Sequence, residues 1–152
     1  MVIMLILGIL SAIAIPIYTG MPARARDAQR ATDMRTVRTL VLAYDAERGA
    51  LPRPTVYGEN NGGGYDTSSA GGWVTFLEAV PGGNRVPRDP INNETGDPTA
   101  DSGGYAYFYY CYHPPWDAYA PDPTRDVARF GYRTEATRTL IYDDIPVTSC
   151  RG

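Results

Sequence analysis

The residues best suited to covalent chemistry are two cysteines, Cys111 and Cys150. In a chain held outside the reducing cytoplasm such a pair reads as one disulfide; only a cytosolic setting would leave two free thiols. One histidine, His113, lies in Tyr-His-Pro-Pro-Trp. A lone imidazole between an aromatic run and two prolines reads as a surface loop residue rather than a catalytic group or ligand. Asp89, Glu94, Asp97 and Asp101 form a loose acidic set. Calcium draws its oxygen ligands from such loops, but a solvated acidic loop is the favoured reading. Asn93-Glu94-Thr95 fits a glycosylation sequon, a pattern that also arises by chance. No Cys-x-x-Cys, HExxH, phosphate loop or Ser-His-Asp set can be assembled. The chain is therefore not expected to be an enzyme, and neither a cofactor nor a metal site is expected.

With no reaction centre in view, the elements themselves carry the functional information. All 14 basic residues are arginines, against 17 acids. Residues 1–20 carry no charge, residues 21–50 carry a net +2, and everything after residue 50 a net −5. No broad basic face is implied, which argues against a dedicated nucleic-acid binder.

Residues 1–18 are apolar except for Gly8 and Ser11. As a helix they would span roughly 27 Å, close to the hydrocarbon thickness of a bilayer. A cleaved signal peptide, a plain membrane anchor, and a helix that serves first in lipid and then among identical copies are three readings of this block. Gly8 and Pro16 favour the third. Glycine lowers helix propensity, and proline removes a backbone donor and crowds the preceding turn, so together they bracket a stretch able to loosen. Gly20–Pro22 is a second possible bend.

Beyond it, Met34, Val37, Val41 and Tyr44 recur at three- and four-residue spacing, with Ala28 and Ala31 extending the stripe backwards. This predicts an amphipathic helix stopped at Gly49, with Pro52 just past it. Its alternating charges read either as a solvated face or as complementarity between stacked copies. Arg24, Arg26 and Arg30, just after the apolar block, are placed to meet anionic lipid headgroups before assembly.

The remainder reads as a head. Residues 51–72 are turn-rich and are expected to be a loop. Trp73, Phe76, Leu77 and Val80 share one face of a short helix. In GYAYFYYCYH, Tyr105, Tyr107, Tyr109 and Cys111 alternate with Ala106, Phe108, Tyr110 and Tyr112, predicting a central strand covered on both sides. ARFGYRTEATR continues the period with Phe130, Tyr132 and Thr134 inward, and RTLIYDD is a third strand. The twelve tyrosines are expected to be core rather than a conductive or binding array. The fold class expected is α+β. Residues 1–50 form a long N-terminal stalk helix, apolar over 1–22 and amphipathic over 23–50. It packs on a 51–152 head with a small antiparallel sheet.

GILSAIAIPIY followed by ARARDAQRATDMRTVRTLVLAYDAERGALP resembles the N-terminal helix of type IV pilins and type II secretion pseudopilins. Gly8, Pro16, the ARAR run at 23–26 and Gly49–Pro52 match in order, densely over residues 1–52 and more loosely over VPRDPINN and the Tyr-rich strand. The family's glutamate near the mature start would precede Met1 in this register, and position 5 is Leu. Either the natural chain extends a short way further, which is the expectation favoured, or this subunit lacks that glutamate.

The resemblance implies a structural subunit that polymerises non-covalently into a pilus-like helical filament on the bacterial surface, from a precursor in the cytoplasmic membrane. Its implied partners are identical subunits, that membrane, the pilus assembly machinery and a prepilin peptidase; no specific nucleic acid is implied. Ile3, Leu5, Ile6, Ile9, Leu10, Ile13 and Ile15 would pack in the filament core, and the Gly8–Pro16 stretch would loosen on assembly. A Cys111–Cys150 bridge would resemble the disulfide-bounded C-terminal region of many type IV pilins, which favours a pilin over a secretion pseudopilin. A membrane-anchored binding module is the reading from another class.

Overall fold

The computed structural model describes residues 2–54, 64–70, 73–81, 86–115 and 120–150; within its helix the side chains of residues 5, 7 and 10–19 fall outside the description. The fold is α+β. One helix, α1 (Val2–Arg48), packs on a four-stranded antiparallel sheet in the order β1 (Tyr65–Thr67), β2 (Phe108–Tyr112), β3 (Val127–Arg133), β4 (Leu140–Pro146). The helical backbone is continuous through Gly8, Pro16, Gly20 and Pro22, with no bend element at Gly20–Pro22. A proline loses only one intrahelical bond, and its fixed φ is already near the helical value.

α1 ends where Gly49 takes a left-handed φ of 69° and its N–H returns to the Asp45 carbonyl at 2.7 Å. A side chain would be strained in that conformation, so glycine is the natural stop. The buried stripe of the helix runs Val37, Leu40 and Val41, with Met34 and Tyr44 half-covered at its margins. Ala28 is exposed and Ala31 only half-buried, so the covered face does not extend back as an apolar stripe. Position 30 takes over, and there the residue is an arginine.

The predicted alternation along β2 holds. Tyr107, Tyr109 and Cys111 enter the main core against α1, with Phe130, Tyr132, Ala128 and Ile145 from the neighbouring strands. Phe108, Tyr110 and Tyr112 form a second cluster on the opposite face, with Tyr65, Ala120 and Leu140 packed around it. Burying both faces is what makes β2 a central strand. Thr134 lies just beyond β3, in the turn leading to β4. The predicted short helix is a 3-10 turn, Thr75–Ala79, that buries Leu77 and leans Phe76 on Tyr44 at 5.0 Å between ring centroids. β1 lies inside the segment expected to be all loop. Its three residues pair with Phe108–Tyr110, so the strand exists because β2 supplies its hydrogen bonds.

The C-terminal tail is held against the end of α1 and against β2. Leu51 donates to the Ser149 carbonyl at 2.7 Å, and the Asp45 carboxylate accepts from the Thr148 amide at 3.0 Å. Cys111 and Cys150 form the disulfide, across a sequence separation of 39 residues. A loop of that length is worth about 4 kcal/mol in the chain-entropy account.

Gly131 sits in the middle of β3, opposite Phe108 on one side and Tyr142 on the other. A Cβ there would fall 2.4 Å from the Ile141 carbonyl oxygen and 2.4 Å from the Phe108 ring. Those atoms are backbone and a fully buried ring, so neither yields readily. Gly131→Ala is expected to lower unfolding stability by about 1–3 kcal/mol. A denaturant midpoint unchanged from wild type would contradict the close packing of strand on ring.

Candidate functional site

Among the described residues the polar attachment of α1 to the head begins at Arg26 and centres on Arg30. Arg30 has no exposed surface. Its Nε and one terminal nitrogen donate to the two oxygens of Asp89 at 2.7 and 3.0 Å, and the other terminal nitrogen donates to Asp27 at 2.7 Å. Glu135 lies 3.6 Å away, and the guanidinium stands over the Tyr105 ring at 5.0 Å from its centroid. Arg26 clamps Glu135 through two nitrogens. Asp27 also accepts from the Glu135 and Ala136 amides at 2.8 and 3.1 Å, in the turn between β3 and β4. Little more than one turn of helix thus holds two separate loops. A planar donor fork is needed for this, which lysine lacks.

Arg26 and Arg30 are therefore committed to the head's own carboxylates, which corrects the expectation that they face lipid headgroups. The signal for this was an arginine three and four residues in phase with Met34, Val37, Val41 and Tyr44. A charge on the covered stripe requires buried counter-charges.

The acidic set is likewise dispersed among separate tasks. Asp89 is fully buried on Arg30 and accepts from the Ile91 amide at 2.8 Å. Glu94 accepts from the Thr95 and Gly96 amides and the Ser102 hydroxyl. Asp97 takes the Thr99 amide and hydroxyl, and Asp101 pairs with Arg138. Among the described residues no group of three or more His, Cys, Asp or Glu is placed to hold a metal ion. His113 Nδ1 sits 2.8 Å from both oxygens of Asp126, which also accepts from the Cys150 amide. The histidine that reads as a plain loop residue is thus joined to the neck of the disulfide.

Tyr107 donates its hydroxyl to Asp33 at 2.6 Å; burial and that carboxylate both push its phenol well above the ordinary value. On the outer face Arg129 pairs with Asp144 and stands over the Tyr142 and Tyr112 rings at 4.3 and 5.5 Å.

The other end of α1 is the reverse in character. Val2, Ile3, Met4, Ile6 and Ile9 are all exposed, Ile3 by 73 %. At about 100° per residue they spread over more than one side of the helix. Gly8 is exposed as well, and a Cβ on it would meet nothing within 4 Å. The side chains of Leu5, Leu10, Ile13, Ile15 and Pro16 lie outside the described residues. Among the described residues no helix is long and apolar enough to cross a membrane. No protein-family model, curated protein or solved structure matches the chain.

Two predictions rest on the junction. Asp89→Ala would strand Arg30 in the interior and is expected to cost about 3–5 kcal/mol. Arg24→Ala, at an exposed site, is expected to stay within about 0.5 kcal/mol. Equal losses in urea titrations would refute the assignment. The second prediction concerns acid. The Arg26 hydrogen bond holds Glu135 below the usual carboxylate range. Burial pushes Asp27 up, but the Glu135 and Ala136 amides together with Arg30 outweigh it and hold it low. Carboxylates depressed in the folded state stabilise it above their unfolded values, near pH 4, and that contribution fades as pH falls through the lower folded values. Melting temperature should therefore fall as pH drops from about 5 towards 3, less steeply in Glu135→Gln. Parallel pH profiles for the two proteins would count against Glu135 as part of the anchor.

Proposed function

We propose that the chain is a structural subunit of a type IV pilus-like filament, with the apolar start of α1 as a stalk that packs among identical copies after leaving the membrane. The observation that carries this reading is the contrast along one helix. From Arg26 onward α1 is held by specific ion pairs and a packed core, whereas the apolar side chains at positions 2–4, 6 and 9 have no cover within the subunit. Exposed aliphatic groups on several sides of a helix call for an apolar surround, which lipid supplies first and neighbouring stalks supply later. At about 25 cal/mol per Å² of apolar surface, summed burial over many copies gives cohesion without covalent links.

The uncharged run through Ile13 and Ile15, the Gly8–Pro16 pair and the resemblance of residues 1–52 to pilin helices support the same reading. The disulfide favours a pilin over a secretion pseudopilin. In a filament the head would form the outer surface, and its clamp on Arg26 and Arg30 would transmit load from stalk to sheet.

Ile9→Asp and Leu10→Asp would each set a charge among apolar neighbours. Electron microscopy of surface-sheared material is expected to show filaments for the wild type and none for either variant, while the disulfide still forms in both. Normal filaments from the variants would refute a core built from this segment.

A further inference from the structure

Nearly every described charged side chain has a polar partner within the subunit. Among the described residues Arg24, Arg35 and Glu78 have none, and all three are exposed. Their placement is not random. Arg24 and Arg35 are eleven residues apart on α1, about three full turns, so they share one face some 16 Å apart along the axis. Tyr44, nine residues beyond Arg35, is about two and a half turns on and points to the opposite side. That opposite side carries the 3-10 turn Thr75–Ala79, seated through Phe76 on Tyr44, and Glu78 belongs to that turn. The unpaired cations and the unpaired carboxylate thus flank α1 on opposite sides.

The cationic side also holds a recess. A half-open cavity of about 180 Å³ lies between α1 and the edge strand β4, walled by Met34, Arg35, Tyr132, Ile141 and Tyr142 and by Asp143, whose carboxylate is paired with Arg38, which leaves Arg35 as its unpaired charge. Ile141 is 41 % exposed, which is high for a large apolar side chain beside a groove, whereas the Tyr142 ring stands under Arg129. β4 ends the sheet, so this side of the head has no further strand to cover it.

We propose that this recess receives the 75–79 turn of a second copy of the chain, with Glu78 of that copy set against Arg35. The contact rests on the filament reading and specifies how heads meet within it. Two different patches on opposite flanks make a heterologous contact. Repeated from copy to copy, such a contact leaves a new recess and a new turn free at the ends, which generates an open helical polymer rather than a closed dimer. The charge pair selects the register, since like charges brought together there would repel. The turn presents Thr75, Glu78 and Ala79, since Leu77 and Phe76 are packed in their own head, so the charge pair carries the contact more than apolar area does. Arg24, on the same helix face about three turns nearer the stalk, extends the cationic track in that direction.

The test is a charge swap in the full-length chain under conditions where the wild type assembles. Arg35→Glu and Glu78→Arg are each expected to cut filament number in sheared material by about ten-fold, and the combined variant R35E/E78R to restore it. Both positions are exposed, so the monomers should fold; formation of the Cys111–Cys150 bridge and an unchanged melt check this. Either single variant assembling like wild type would overturn the contact, as would two impaired singles with no recovery in the combination. Filaments from the wild type with unaffected variants would sink the contact alone. A wild type that forms none would remove the filament reading, and the contact with it.

Discussion

Arg30 brings a permanent positive charge into a site with no exposed surface. Burial on its own would lower its proton affinity, but Asp89 and Asp27 more than reverse that, and the guanidinium stays charged. Such a group is tolerated only when its donors all find acceptors in good geometry. The carboxylates around it come from α1 itself, from the segment before Ile91 and from the turn after β3. One side chain therefore fixes both the rotation of α1 and its axial position against two loops. Aliphatic packing alone would leave that position less defined, since an apolar stripe slides at small cost compared with a bidentate ion pair.

The rest of the head is arranged around this fixed point. Below it along α1, Val37, Leu40 and Val41 settle onto the aromatic face of the sheet, where Tyr109 stacks on Phe130 at 4.7 Å. Phenol groups that enter the core bring hydroxyls needing acceptors. Tyr107 finds Asp33, and Tyr109 finds the Pro52 carbonyl at 2.6 Å. At the far end of α1 the C-terminal tail lies against Leu51 and is locked to β2 by the disulfide. Helix, sheet and tail are thereby tied at the upper end by charge and at the lower end by covalent and backbone bonds.

This distribution of satisfied and unsatisfied groups gives the molecule a direction. Among the described residues the head has met nearly all its polar needs internally, while the apolar start of α1 and a few charges on opposite flanks have not. A chain complete at its centre and incomplete at its edges is what the proposed filament would require.

The features legible in the amino-acid order are those that depend on neighbours in the chain. The three-and-four spacing of Met34 to Tyr44, the stop at Gly49 and the two-residue alternation from Tyr105 to Tyr112 all follow from local geometry. So does the uncharged character of the first twenty residues. The partners that those residues choose are not local. Arg30 looks like its exposed neighbours Arg24 and Arg35 until Asp89 arrives from 59 positions away. β1 has no strand signature of its own and forms because β2 offers an edge. Gly131 resembles any strand glycine until the Phe108 ring lies across it. Periodicity and composition are properties of adjacent residues, so α1 with its stripe from Met34 to Tyr44 and the strands β2, β3 and β4 could be read from residue order alone. Counter-charges, edge pairing and close approach are properties of distant residues brought together, so they emerge once the chain has folded.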